Sequence, residues 1–266
     1  MIKNWIQTLF TSLGYRITNL KRDKKNLDQY INKILEISNP VIFDVGANEG
    51  QSILLYRKYF SNPLFHCFEP DVKAFKLLES KYKNDSNVNL KLLGLGEKRE
   101  VKIFNSYLET GKSSFLELNK NTEFIKYKAK SIGVDVKNYL NENYEQKIDT
   151  IDNYSEINNI SKINLLKIDT QGYEKNVIEG ANKSIIQNKI DIIKVEIIFS
   201  LVYKKNFNIY DIEKVLIPNG YKLFGTNAYG NLLTDQNWQS DFFYISDKMF
   251  EKIKKNSLFK SFDRDY

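Results

Sequence analysis

A mostly parallel α/β sheet with helices on both faces is the fold class that this sequence of 266 residues predicts. Two observations predict it. Val41-Ile42-Phe43 reads as a strand buried on both faces, Ile163–Ile168 as another buried strand, and Ile190–Ile198 as a strand. Between them lie segments with helical spacing, and strand–helix alternation specifies right-handed crossovers and a mainly parallel sheet.

In chain order, helices are expected at about 2–13 and 24–37, the second with an apolar stripe of Leu27, Tyr30, Ile31, Ile34 and Leu35. Asn39-Pro40 ends it, because the residue before proline leaves the helical region. The strand from Val41 runs into Gly46-Ala47-Asn48-Glu49-Gly50 and a helix at about 51–60. Leu64–Phe68 is a strand, and Val72–Tyr82 a helix with Phe75, Leu77 and Leu78 inward. Val88–Leu93 and Val101–Phe104 are extended. Residues 106–147 have no clear period, with extended runs expected around Ile132–Val136 and Lys147–Thr150. After Ile163–Ile168 come a helix at about 174–187, the strand Ile190–Ile198, a helix over Ile209–Leu216, and closing strands at Tyr221–Phe224 and Phe242–Ile245.

Composition removes several classes of function. A 42% hydrophobic fraction with 17 Tyr and 17 Phe supplies a core, so disorder is not expected. Twelve Gly and four Pro exclude collagen-like and Pro-rich chains. One cysteine excludes an internal disulfide framework and a cysteine zinc site, and one histidine excludes a two-histidine metal site. The net charge of +7 allows an anionic partner without demanding one. The apolar stretch Ile190–Tyr203 is too short and too charged to span a membrane. Asn4, Gln7 and Thr8 interrupt the N-terminal apolar region, so no signal peptide is expected and the location is read as cytoplasmic. Ile2, Trp5, Ile6, Leu9 and Leu13 share a helical face, expected to pack on the domain, with peripheral membrane contact as the alternative.

Three strand ends carry the chemistry. In open α/β sheets, ligands bind at the carboxyl ends of the strands. Gly46 and Gly50, with Ala47 and Asn48 between them, form a turn that a ligand could approach closely. The spacing is G-x-x-x-G rather than the dinucleotide G-x-G-x-x-G. Asp44 before it would repel a pyrophosphate and suit a cationic ligand, such as a sulfonium with an α-amino group. Gly111-Lys112-Ser113-Ser114 is no P-loop, since Ser106 stands where its first glycine belongs. Glu69, followed by Pro70, ends the second strand 69 − 50 = 19 positions after Gly50, where nucleotide-binding folds place a ribose-binding carboxylate. Asp169 ends the strand Ile163–Ile168, with Gly172 and Glu174 opening a helix. Carboxylates Asp44, Glu69 and Asp169 on one sheet edge are costly without a cationic or hydroxyl-rich ligand.

The blocks D-V-G-A-N-E-G, F-E-P and L-L-K-I-D-T-Q-G-Y-E, in that order, resemble the FkbM-type S-adenosylmethionine-dependent methyltransferases. Ile148–Asp152 resembles the family's T-L-D element, and V-I-E-G-A at 177–181 its continuation. Gln171 stands where many members carry Glu. The resemblance covers about residues 38–200 and implies a class I methyltransferase (Rossmann-like) fold. Residues 39–266 are then the methyltransferase domain, with residues 1–38 a helical segment packed on it. It also implies S-adenosylmethionine as cofactor and O-methylation of a sugar, glycan or other small metabolite.

Asp44, Gly46, Ala47, Asn48, Gly50, Glu69 and Pro70 are the candidate cofactor residues. Asp169 and Glu174 are candidates to remove the hydroxyl proton. Glu196, near the end of its strand, is kept as a third, either facing the substrate or as an ordinary strand-end charge. No residue is assigned to a metal; a divalent ion near Asp169 would have oxygen ligands and be magnesium-like. His66 and Cys67 are expected to be core residues. No nucleic-acid partner is expected. The alternatives are an RNA methyltransferase, although no N-P-P-Y element is present, and a non-catalytic protein that retains the fold.

Overall fold

A computed structural model describes residues 12, 26–205, 207–231 and 236–255. A 3-10 turn, Leu27–Tyr30, leads into α1 (Ile31–Leu35). Then come β1 (Val41–Val45), α2 (Gln51–Tyr56), β2 (Leu64–Phe68), α3 (Val72–Tyr82) and β3 (Val88–Lys91). An insertion follows: β4 (Gly94–Leu95), β5 (Glu100–Tyr107), a 3-10 turn at Thr110–Lys112, α4 (Glu123–Ser131) and β6 (Leu140–Asp149). The chain continues through α5 (Ile151–Ile157), β7 (Ile163–Ile168), α6 (Glu174–Glu179), α7 (Asn182–Ile186) and β8 (Ile190–Ile198). It closes with α8 (Ile209–Leu216), β9 (Tyr221–Asn231), β10 (Gln236–Ser246) and α9 (Asp247–Lys254).

The main sheet has the order β3-β2-β1-β7-β8-β10-β9. Its first five strands are parallel, and β10 runs antiparallel to β8 and β9. This is the class I methyltransferase arrangement. Strands β1, β7 and β8 are apolar on both faces because both faces are covered. On one face Ile42, Leu165, Ile192 and Phe243 pack against α1, α2, α3 and α9 through Ile34, Tyr56, Leu78 and Met249. On the other, Phe43, Leu166, Ile193 and Tyr244 pack against α5, α6, α7 and α8 through Ile151, Val177, Ile185 and Leu216. After β3 the chain returns past β1 to place β7 beside it, so β1 flanks the switch point where such sheets bind ligands.

Several elements depart from expectation for definable reasons. Val101–Phe104 and Lys147–Asp149 are extended, but they belong to a second sheet of order β4-β6-β5. Ile132–Val136 is not a strand: Gly133 (φ +76°) follows the end of α4, and Val136 opens a 3-10 turn. The helix expected over 174–187 is two helices. A Cβ on Gly180 would lie 1.9 Å from the Gly96 carbonyl oxygen, so the chain crosses there too closely to carry a side chain. Asp152 then receives the backbone N–H groups of Lys183 and Ser184 at the start of α7. Leu77 is exposed, because the inward stripe of α3 is Ala74, Leu78 and Tyr82.

The helix expected at 2–13 lies outside the described residues except for Ser12. The 27–35 segment is joined to the sheet by a buried polar network. Asp28 receives Lys194 Nζ at 2.9 and 3.0 Å and the Tyr56 hydroxyl at 2.7 Å, while Lys194 also meets Asp241 at 3.1 Å. Among the described residues no helix is long and apolar enough to cross a membrane.

Candidate active site

The parallel register of β2, β1 and β7 brings three loops to one edge: Glu69-Pro70, the Gly46–Gly50 turn, and the loop after Asp169. They floor a cleft. The insertion roofs it with Phe104, Thr110, Ser113 and Phe115. The stretch without a clear period in the sequence thus supplies one wall of the site. Ser106 and Gln146 fasten the insertion to the floor, the first by donating to Asp71 at 2.8 Å and the second to the Pro70 carbonyl at 2.9 Å.

Glu69 and Pro70 line the cleft. Each Glu69 oxygen accepts one backbone N–H at 2.7 Å, Oε2 from Asn48 and Oε1 from Asp71. A carboxylate oxygen has room for two such bonds, so each keeps a free acceptor position. Burial outweighs these bonds and pushes the Glu69 carboxyl up to about 8.

Gly46 (φ +80°) and Asn48 (φ +44°) also line the cleft. Asn48 accepts from the Thr110 hydroxyl at 3.1 Å, which ties the turn to the roof. Packing within the chain already requires both glycines. A Cβ on Gly46 would stand 1.9 Å from the Asp169 carbonyl oxygen, and one on Gly50 would stand 2.6 Å from the Tyr82 ring. Ala47 is buried, its N–H bonded to the Phe68 carbonyl at 3.1 Å.

Asp44 is fully buried and lies outside the cleft lining. Its Oδ1 accepts from Lys167 Nζ at 3.0 Å, and Oδ2 has no hydrogen-bond partner among the described residues. The same ammonium lies 3.6 Å from Asp169. The cation that offsets two of the three carboxylates is therefore a side chain of β7. Burial works to lower the Lys167 pKa, but Asp44 and Asp169 outweigh it and hold the amine protonated. Among the described residues no group of three His, Cys, Asp or Glu is placed to hold a metal ion.

Asp169 lines the cleft at the end of β7. Burial acts to raise its carboxyl, but Lys167, the Gln171 amide, Glu196 and Lys112 together outweigh that and hold it below its ordinary value. Glu196 is buried behind it, bonded to the amides of Gln171 and Gln239 at 2.9 Å each. Burial and the Asp169 charge push Glu196 well up, so it keeps its proton while Asp169 is ionised. Glu174 is also buried, beneath the loop and away from the cleft wall. Its Oε1 accepts the N–H groups of Thr170 at 2.8 Å and Gly172 at 3.1 Å, which fixes the loop. Burial raises it to about 7.

A family model described as the methyltransferase FkbM domain matches residues 44–223, which include the β1 turn, the β2 end, the roof and the β7 loop. The chain belongs to the FkbM methyltransferase family. The methyl donor that the sequence implies for this FkbM methyltransferase is S-adenosylmethionine. No curated protein matches it. Among solved structures it is distantly similar to a precorrin-6y C5,15-methyltransferase from Geobacter metallireducens (9% identity, TM-score 0.41, 88% of this chain and 95% of that one). It is likewise similar to a magnesium protoporphyrin IX methyltransferase from Synechocystis, solved with bound donor (11% identity, TM-score 0.41, 92% and 96%).

The cleft of this FkbM methyltransferase fits such a donor on its own evidence. It combines an apolar wall of Leu95, Phe104 and Phe115 with a carboxylate that has acceptor positions free. Sequence reasoning missed Lys167, Lys112 and Tyr203. The signal for Lys167 was present: a charge inside a buried strand needs a buried partner. His66 is a core residue, bonded to the Tyr154 hydroxyl at 3.0 Å and lowered to about 4 by burial and Lys91.

Proposed function

We propose that the protein methylates a hydroxyl on a sugar, glycan or other small metabolite. The observation that supports this most is Asp169, a carboxylate held ionised at the cleft surface by Lys167 and Gln171. Glu69 would accept the ribose hydroxyls of the donor, and Leu95, Phe104, Phe115, Gly46 and Asn48 would complete the wall that holds it. Bound there, the donor supplies an electrophilic methyl group on a sulfonium. Asp169 would accept a hydrogen bond from the acceptor hydroxyl, align its lone pair for in-line attack, and take the proton as the O–C bond forms and the methyl–sulfur bond breaks, the sulfur leaving as a neutral thioether. A weak base suffices, because the oxygen becomes strongly acidic as that bond forms. Glu174 and Lys167 act through Asp169, the first by fixing its loop and the second by fixing its charge. Incubation with methyl-labelled donor and a panel of sugar and polyol acceptors is the test. Labelled methyl ether is expected, and label only in RNA or in amines would overturn the reading.

Glu69 gives this reading a pH signature. Its pKa is raised in the folded protein from an ordinary 4.5 to about 8. Its stabilising contribution is therefore complete below pH 4.5 and is lost as pH climbs through about 8. The donor-free protein is expected to melt at progressively lower temperature over that interval, and Glu69→Gln to flatten the trend. Glu69→Ala is also expected to weaken binding of S-adenosylhomocysteine, the demethylated product, about tenfold, the loss expected of two hydrogen bonds to the ribose. Calorimetry at fixed pH checks this, and unchanged affinity would remove Glu69 from the site.

A further inference from the structure

Gln171 uses its whole side-chain amide within the site. It sits in the left-handed region (φ +55°), which aims its side chain between β7, β8 and the roof. Nε2 donates to Asp169 Oδ1 and to Glu196 Oε2, both at 2.9 Å. Oε1 accepts from Lys112 Nζ at 3.1 Å and from the Tyr203 hydroxyl at 3.2 Å. Tyr203 is buried, and its hydroxyl also lies 3.1 Å from the Lys112 carbonyl oxygen, so its single hydrogen is shared between that carbonyl and Gln171. An amide is the side chain that can donate twice at one end and accept twice at the other. A glutamate of the same length would have no hydrogen to offer either acid.

We propose that Gln171 is a positioning residue for methyl transfer: its amide aims Asp169 into the cleft and joins the Asp169–Glu196 pair to the roof through Lys112 and Tyr203. Without the Nε2 donor, the Asp169 carboxylate would lose one of the hydrogen bonds that hold it ionised, keeping Lys167 and its contact with the protonated Glu196. The charged and titratable groups around the pair are Lys167 on β7, Lys112 on the roof, Glu174 on α6, Asp241 on β10 and Tyr203 after β8. Lys167, the Gln171 amide, Glu196 and Lys112 all favour the Asp169 carboxylate, and the amide is the member of that set that also bonds the roof.

The inference builds on Asp169 as the base, yet its test needs neither donor nor acceptor. The carboxyl groups of 13C-labelled full-length protein are titrated by NMR, with the Asp169 signal assigned by its absence from Asp169→Asn. In Gln171→Met, neutral and of similar length, the Asp169 midpoint is expected to rise by about one pH unit, a tenfold change in proton affinity. Gln171→Glu is expected to raise it at least as far, and it serves as the second variant if the methionine disturbs folding. A midpoint that is unchanged or lower in a folded variant would overturn the role of Gln171. Wild-type turnover in Asp169→Asn would instead overturn the base, so the two failures are distinguishable.

Discussion

Asp169→Asn is expected to fold, to bind the donor normally and to lose about 10²–10⁴-fold in turnover. Aspartates at strand ends frequently cap the following helix, and asparagine would preserve that role. The structure assigns the role elsewhere: α6 has no side-chain cap from Asp169, and Glu174 takes the loop's N–H groups. What Asp169 has is Lys167 at 3.6 Å, the Gln171 amide at 2.9 Å and an open side toward the cleft. Asparagine keeps an oxygen for Gln171 and cannot take a proton. Steady-state turnover on an accepted substrate, with the melting temperature and product affinity measured alongside, tests this. Wild-type turnover would place the base elsewhere.

Gly46→Ala is expected to be the most destabilising of the small substitutions in the site. At φ +80° an alanine meets the left-handed penalty of roughly 1–2 kcal/mol. Its Cβ would also overlap the Asp169 carbonyl oxygen at 1.9 Å, backbone that cannot rotate away. Overpacking of this kind adds about 1–3 kcal/mol. The sum corresponds to a fall of roughly 10 °C in melting temperature for a domain of this size. Relieving the clash would part β1 from β7 where Asp169 N–H meets the Val45 carbonyl at 3.0 Å, so product binding should weaken as well. Gly111→Ala is the control. Its φ is not positive, and the nearest atom to its Cβ would be Asn48 Nδ2 at 3.8 Å. Equal melting temperatures for the two variants would refute the close-crossing argument.

β2, α3, β7, β8 and α8 were legible in the sequence with their observed bounds. Apolar strands between helices have one way to be buried, and an aspartate or asparagine cap marks the start of α3 and α8. Residues 106–147 were illegible because the β5–β6 hairpin leaves much of β6 exposed, so its sequence alternates weakly. That same segment roofs the cleft, and so Thr110, Lys112 and Phe115 were not foreseen. Asp44, Glu69 and Asp169 were readable as strand-end carboxylates, whereas their partners depended on register. Asp44 and Lys167 are direct neighbours across β1 and β7, a fact fixed by strand order and invisible to spacing along the chain. Glu174 and Glu196 were readable as acids near the site, but their burial behind the cleft wall follows from the turn at Gln171 and the pairing of β8 with β10.

S-adenosylmethionine is expected to bind in the cleft between the strand ends and the roof. Titration calorimetry of S-adenosylhomocysteine into the purified protein, with NAD titrated in parallel, tests it most directly. Saturable one-site binding of S-adenosylhomocysteine and no heat from NAD are the results expected. NAD binding with no response to S-adenosylhomocysteine at millimolar concentration would contradict the assignment.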